Sequence, residues 1–250
     1  MTVGIEDRDA IRIVTIDNVD HSNALDIETF GGLGDAFTEA AEDARVRVLI
    51  LTGAGTRSFC AGMDLKAFAA GGQTRLGPGP RVFTEQFFPK PIVAAVNGTA
   101  VGGGLGLVLG CDIVIAAEHA RFGIPEAQRG LVGTGVVSRI ASRLGPGPAL
   151  ELALSGDLVG VDRALALGLV HRVVAPPELL PTALSWAERI AANAPLAVTA
   201  TKKVILEVAG VHDYDLATLR AQTAHVSSSA DAKEGAKAFL ERRQPVFRGE

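Results

Sequence analysis

Residues 97–106 read Asn-Gly-Thr-Ala-Val-Gly-Gly-Gly-Leu-Gly and follow a β-branched apolar run at 92–96. A second stretch, residues 58–65, reads Ser-Phe-Cys-Ala-Gly-Met-Asp-Leu and lies downstream of a similar run at 46–51. Each run has the composition of a short buried strand, and the segment that comes after it can be helical. Two strand ends therefore deliver two loops of small residues, whose backbone N–H groups no bulky side chain shields. A pair of such donors stabilises negative charge that develops on an oxygen atom.

The composition indicates a soluble globular protein that is not built for nucleic acid or membrane. The chain has 250 residues, 48% hydrophobic and 21% charged, which is enough for one large domain or for a core with an appendage. A net charge of −4 and 5% aromatic residues exclude a nucleic-acid surface. The first nine residues are acidic and lack an apolar signal core, and the apolar segment 101–117 contains Asp112 and five glycines. Two cysteines within or beside apolar runs, Cys60 and Cys111, predict reduced thiols and a cytoplasmic location.

The hydrophobic pattern predicts a mixed α/β core followed by a helical region. Strands are expected at 11–16, 46–51, 92–96, 113–117, 120–122 and 170–174, and a helix capped by Asp26 follows the first of them. After Pro176 the pattern predicts helices alone, at 179–192, 197–208, 215–226 and 232–242, the last with a capping box of Asp231 and Glu234. Residues 69–80 are rich in Gly and Pro and predict a mobile loop.

Several kinds of site are excluded because their motifs are missing from the sequence. There is no Gly-x-Gly-x-x-Gly for a dinucleotide, no Gly-Lys pair for a P-loop, and no serine with a glycine two residues before it. The histidines and cysteines lack the spacing of metal ligands. The candidates that are left are backbone donors and carboxylates, with no metal and no separate cofactor.

Taken together and in order, the motifs resemble the enoyl-CoA hydratase/isomerase (crotonase) superfamily. The matching segments are 23–25, 49–53, 59–65, 90–98, 101–104, 111–112, 122–126, 168–170 and 231–235, spread over nearly the whole chain. The resemblance implies a crotonase-like spiral core of repeated ββα units at 1–194 and a C-terminal helical oligomerisation region at 195–250. It also implies an acyl-CoA substrate, whose coenzyme A is part of the substrate, and a homotrimer or dimer of trimers.

The resemblance also implies a set of site residues. The backbone N–H groups of Met63 and Gly103 would form the oxyanion hole, although the glycines also suit tight packing of a helix against a strand. The residues expected to bind the acyl-CoA are Ala24, Leu25, Ala61, Asp64, Leu65, Lys66 and Gly102, with Phe239 and Arg242 contributed by a neighbouring subunit.

Glu126 is the side chain expected to transfer protons. Pro125 favours an extended backbone at Ile124, so the carboxylate is expected at a strand-to-helix or strand-to-loop junction, where it can reach a substrate. The alternative is a structural acid in the first turn of a helix, stabilised by the helix dipole.

One position departs from the pattern of two-carboxylate hydratases. These enzymes carry a glutamate two residues after the third glycine of Gly-Gly-Gly, where this chain has Gly106. A single carboxylate suffices for isomerisation of a 3-enoyl thioester, and slower hydration stays possible. Gly106 also leaves room for a bulky acyl group. The other hypothesis is a catalytically weakened protein that still binds acyl-CoA, whereas no residue favours a related hydrolase or decarboxylase.

Overall fold

The computed structural model describes residues 2–64, 87–209, 224, 228–243 and 245–246, and it shows two sheets surrounded by helices. The larger sheet has the strand order β1-β2-β3-β5-β7-β10, antiparallel between β1 and β2 and parallel elsewhere. Its strands are β1 (Val3–Arg8), β2 (Ile11–Ile16), β3 (Val48–Gly53), β5 (Ile92–Val96), β7 (Ile113–Ala117) and β10 (Arg172–Val174).

The smaller sheet continues from the ends of these strands and carries the two small-residue loops. Its order is β4-β6-β8-β9, with β4 (Ser58–Cys60), β6 (Thr99–Val101), β8 (Arg121–Gly123) and β9 (Val159–Gly160). The helices of the described chain are α1 (Ile27–Glu42), α2 (Gly103–Leu109), α3 (Thr134–Leu144), α4 (Pro146–Ser155), α5 (Val161–Ala166), α6 (Leu179–Ala191), α7 (Pro195–Val208) and α8 (Ala230–Leu240).

Both faces of the central strands β3, β5 and β7 are buried, which explains why these three strands are almost entirely apolar. Alternate residues of each strand point to opposite faces. Ile13, Ile50 and Val93 pack against α6 on one face. Val14, Leu51 and their neighbours join α1 and α2 in the main core on the other face. A parallel sheet covered on both sides is typical of α/β proteins.

Most of the predicted core elements are confirmed, within a few residues. The strands at 11–16, 92–96 and 113–117 have the predicted bounds, and Asp26 caps α1 by accepting a hydrogen bond from the Thr29 N–H at 2.7 Å. The capping box was wrong: Ser229 caps α8, so the helix begins earlier than predicted. Sequence reasoning missed β1, the short strands β4, β6 and β9, and helix α3, which lies next to the candidate site. The loop at 69–80 and the helix at 215–226 lie outside the described residues, apart from residue 224.

The C-terminal region contacts the core through both of its described helices. On α7, the Lys202 ammonium lies 2.8 Å from the Asp112 carboxylate, which also accepts a hydrogen bond from the Ile92 N–H. The small residues of α8 are buried. Three apolar side chains of α7 (Leu196, Val204 and Ile205) are exposed. None of the helices described here has the length and apolar character that crossing a bilayer requires.

Candidate active site

The first loop leaves one of its backbone N–H groups free. Leu25 and Met63 form a parallel bridge, in which the Leu25 N–H donates to Gly62 O at 2.7 Å and Leu25 O accepts from Asp64 N at 3.4 Å. This pairing engages the residues on either side of Met63 and leaves the Met63 N–H unused. Among the described residues, no acceptor is hydrogen-bonded to it.

The second loop ends in the N-terminus of α2. Gly102 has φ +53°, a left-handed conformation that strains other residues, and its N–H donates to Gly123 O at 3.0 Å. Gly103 is the first residue of α2, so its N–H has no partner within the helix, and the described chain supplies no other acceptor. The residue is exposed and lies at the positive end of the helix.

The glycines of the two loops have different roles. A Cβ on Gly104 would collide with Cys60 O, so Gly104 serves the tight packing of α2 against β4. A Cβ on Gly103 would make ordinary contacts only, at 3.4 Å from Leu25 Cδ1 and 3.8 Å from Met63 N. The packing alternative therefore explains Gly104 but does not explain Gly103. The two loops lie side by side, with their two free amides on adjoining segments.

Two buried asparagines connect the loops to the ends of the strands. The Asn97 side chain accepts a hydrogen bond from Gly53 N at 3.0 Å and donates to Gly55 O and Ser58 O at 2.9 and 3.1 Å. Asn23 donates to Ser58 O at 2.8 Å and to Ala54 O at 3.0 Å. These contacts fix the chain just before the first loop. Both residues belong to the quoted motifs, yet the sequence does not show that their side chains meet at Ser58.

Glu126 lies at the junction after β8, beside the second loop. It precedes a 3-10 turn, Ala127–Arg129, with φ −58° and ψ −42°. A Cβ on Gly102 or on Gly133 would lie 2.7 Å from Glu126 Oε1 in either case. The carboxylate therefore occupies space that exists because both neighbours lack a side chain.

Burial raises the pKa of Glu126, while a hydrogen bond from its own backbone N–H and the positive charge of Arg129 lower it. Its Oε2 atom is buried, and the described residues give it no hydrogen-bond partner. An unpaired buried carboxylate oxygen costs free energy, and such groups occur where chemistry requires them. The structural alternative, an acid stabilised by a helix dipole, does not explain this oxygen, because the turn that follows is only three residues long.

Gly106 faces the same space. In an α-helix, residues three apart share a face, so Gly106 lies on the side of Gly103. A Cβ on Gly106 would have one neighbour within 4 Å, Val136 Cβ at 3.8 Å. The site thus includes two residues that the sequence reasoning missed, Gly133 and Val136. The recurrence of Val136 and Ile140 at helical spacing is the signal that could have revealed α3.

The other predicted binding residues differ in how they are placed. Ala24 and Leu25 are buried beside the first loop, and Ala61 and Asp64 are partly buried within it. Leu65 and Lys66 lie outside the described residues. Phe239 and Arg242 are exposed near the end of α8, and the Phe239 ring lies against Arg129 of the same chain.

The two sheets and their surrounding helices, with two amides and a carboxylate gathered at the strand ends, define a class: the crotonase-fold α/β enzymes. Comparison with known proteins gives the family. A family model described as enoyl-CoA hydratase/isomerase matches residues 6–250. This chain belongs to that family, within the crotonase superfamily, and it is an enzyme of the enoyl-CoA hydratase/isomerase type.

Three relatives show how close the similarity is. The chain is 38% identical over 238 residues to a carnitinyl-CoA dehydratase of Escherichia coli, covering 91% of each protein. It is 40% identical to the solved carnitinyl-CoA hydratase of Mycobacterium avium, with a TM-score of 0.92 over 100% of this chain and 99% of that one. For the enoyl-CoA hydratase of Mycobacterium tuberculosis H37Rv the identity is 44% and the TM-score 0.78, with the same coverage.

Proposed function

We propose that this protein converts an enoyl-CoA thioester through an enolate, with Glu126 as its single proton-transfer group. The Met63 and Gly103 N–H groups stabilise the thioester oxygen as it becomes negative, and one donor to such an oxygen typically contributes about 3 kcal/mol in an enzyme with an oxyanion hole. The observation that carries the proposal is the Glu126 carboxylate. Within the part of the chain that is described, its buried Oε2 has no partner, and its Oε1 lies against Gly102, next to the Gly103 amide that no described acceptor engages.

The reaction that this arrangement suits best is a shift of a double bond from the 3- to the 2-position. The Glu126 carboxylate removes a proton from C2 of a 3-enoyl thioester, and the C–H electrons move toward the carbonyl oxygen. The resulting enolate collapses as protonated Glu126 returns the proton to C4, which leaves the double bond between C2 and C3. No group is oxidised or reduced, and the proposed step needs no cofactor beyond the coenzyme A of the substrate.

A second candidate is addition or removal of water, which the names of the relatives favour. It needs a group that activates water in addition to one that protonates C2, and Gly106 cannot supply a carboxylate. We therefore place hydration second and expect it to be slower. The third candidate is a weakened protein that binds acyl-CoA without turnover. It gives no reason for the burial of Glu126 beside the two loops.

The experiment compares 2-enoyl-CoA, 3-enoyl-CoA and carnitinyl-CoA thioesters with purified wild type and the Glu126→Gln variant. We expect isomerisation of the 3-enoyl thioester by wild type, and its loss by about 10²-fold or more in Glu126→Gln with ligand affinity retained. Formation of the conjugated 2-enoyl thioester without net addition of water identifies isomerisation. Full activity in Glu126→Gln would refute the role of Glu126, and thioester binding without turnover by wild type would favour the weakened protein.

The residues proposed to contact the acyl-CoA are Ala24, Leu25, Ala61, Asp64, Leu65, Lys66, Gly102, Phe239 and Arg242.

We also propose that the protein forms a homotrimer or a dimer of trimers. This assembly is supported by the exposed apolar side chains of α7 and by an apolar cavity of about 910 Å³ beside that helix. The cytoplasmic location is supported by two buried free thiols, Cys60 and Cys111, whose pKa burial raises to about 12.

A further inference from the structure

Arg129 is a charged side chain beside Glu126 that the proposed proton transfer does not use. Its guanidinium carbon lies 4.8 Å from the centroid of the Phe239 ring, and the side chain is partly buried. Within the described ranges, no carboxylate lies within ion-pair distance of this guanidinium. Arg129 is therefore neither a solvated surface charge nor half of a structural salt bridge.

The local backbone places Arg129 and Glu126 on the same side of the chain. The Glu126 carbonyl accepts hydrogen bonds from Arg129 N at 2.9 Å and Leu131 N at 3.0 Å, so a tight 3-10 turn follows Glu126. In a 3-10 helix, the side chains at i and i+3 are eclipsed. The turn therefore places Arg129 and Glu126 on one side of the chain, and the positive charge of Arg129 lowers the pKa of Glu126 against the effect of burial.

Helix α8 supports this turn from outside. A Cβ on Gly130, which has φ +67°, would lie 2.5 Å from Asp231 O, and a Cβ on Gly235 would collide with Arg129 O. The backbones of the turn and of α8 are therefore in direct contact. Phe239, near the end of the same helix, then covers the guanidinium. A cation over an aromatic face is attracted by the ring electrons and restricted in its motion.

We propose that Arg129, packed against Phe239 of its own C-terminal helix, is a positioning residue for Glu126. It orients the turn that carries the carboxylate and supplies the charge that favours the ionised carboxylate, the form that acts as the base. The inference rests on the proposed function, because it requires Glu126 to transfer the proton. It also makes α8 part of the active-site wall of its own subunit.

The other elements packed against Glu126 carry few groups that could replace this charge. The starts of α2 and α3 present Gly102 and Gly133 to it, neither of which titrates. Helix α8 carries Asp231 and Glu234 near the turn, and Glu234 is paired with Arg243 at 2.6 Å. In the described chain, Arg129 is the charged side chain whose field acts on Glu126.

The test measures kcat and KM against pH for wild type, Arg129→Met, Arg129→Lys and Phe239→Leu. The matched control is Arg189→Met, which removes a similar guanidinium at 4.4 Å from the Trp186 ring on α6. We expect Arg129→Met to lower kcat about tenfold and to move the low-pH limb of kcat to higher pH, because Glu126 loses the charge that favours its ionised form. In Arg129→Lys the low-pH limb of kcat is expected at the same pH as in wild type. Phe239→Leu lowers kcat, but it moves this limb less than Arg129→Met does. For the Arg129 variants KM changes less than kcat, and the control behaves as wild type.

The inference is overturned if the low-pH limb of the kcat profile is the same in Arg129→Met and in wild type. It is also overturned if this limb moves as far in Arg129→Lys as in Arg129→Met. If circular dichroism shows that Arg129→Met is unfolded, Phe239→Leu decides. A kcat of Phe239→Leu equal to that of wild type is also incompatible with the proposal.

The outcome of this test is separable from that of the proposed function. An active Glu126→Gln refutes the proposed function, whereas an inactive Glu126→Gln with an unmoved Arg129→Met limb refutes only the role of Arg129.

Discussion

The Gly133→Ala variant tests how tightly the reaction depends on the position of the Glu126 carboxylate. The added Cβ would lie 2.7 Å from Glu126 Oε1, whereas ordinary contacts begin at 3.4 Å, so the oxygen must retreat by the difference, about 0.7 Å. The Gly133 backbone has φ −83° and ψ 68°, close to the inverse γ-turn geometry that alanine can also adopt. The variant therefore displaces the carboxylate without distorting the backbone.

The magnitude follows from the sensitivity of catalysis to geometry. A misplacement of 1 Å costs about 10²-fold in rate, so 0.7 Å predicts a loss of about 25-fold in kcat, or about 2 kcal/mol of activation free energy. The assay is the initial rate of 3-enoyl-CoA isomerisation, with circular dichroism and urea denaturation to confirm folding. KM is expected to change little, because the perturbation is at the reacting carbons rather than along the coenzyme A.

Two further variants separate this effect from general destabilisation. The added Cβ also lies 2.7 Å from Val136 Cγ1, so the double variant Gly133→Ala/Val136→Ala removes that contact and leaves the pressure on the carboxylate. We expect the double variant to remain slow. Gly31→Ala on α1, where a Cβ meets nothing within 4 Å, is the control and stabilises the fold by about 0.5–1 kcal/mol with unchanged kcat. A folded Gly133→Ala with kcat within twofold of wild type, as a rough limit, would refute the reasoning.

Two other predictions concern the same carboxylate and the open space beside it. Gly106→Glu is expected to fold, because the added Cβ has only Val136 Cβ nearby, at 3.8 Å. Its rate of 2-enoyl-CoA hydration is expected to rise about tenfold or more, since a second carboxylate can activate water. Hydration no faster than that of wild type would count against the single-carboxylate account. Glu126→Gln is expected to raise the free energy of unfolding at pH 8. Because burial raises the folded-state pKa of Glu126, wild type loses stability as pH rises from the unfolded pKa through the folded one, and the gain from Gln should shrink toward pH 5. Urea midpoints at both pH values measure this difference, and a gain that is larger at pH 5 would contradict the burial effect.

Several elements of the core could be predicted from sequence because their signals are local. Strands such as 92–96 are continuous apolar runs, and Asp26 stands at the start of an amphipathic segment, so neither needs information from elsewhere in the chain. The pairing of the two glycine-containing loops was also visible, since each follows a strand and parallel strands end at a common edge. Helix α3 was missed because Gly133 and Gly145 bound a segment with few buried residues, and its contribution to the site depends on Val136 meeting Gly106.

The sequence by itself determined which groups are available for chemistry: backbone amides without shielding side chains, one carboxylate after Pro125, and a glycine in place of a second acid. Only the tertiary structure decided what surrounds them. The space for the Glu126 carboxylate is bounded by Gly102 and Gly133, and its turn contacts a helix about a hundred residues further along the chain. The physical reason is that strand and cap signals arise between neighbours in sequence, whereas burial, the field at a carboxylate and its room to move are set by residues that become neighbours only on folding.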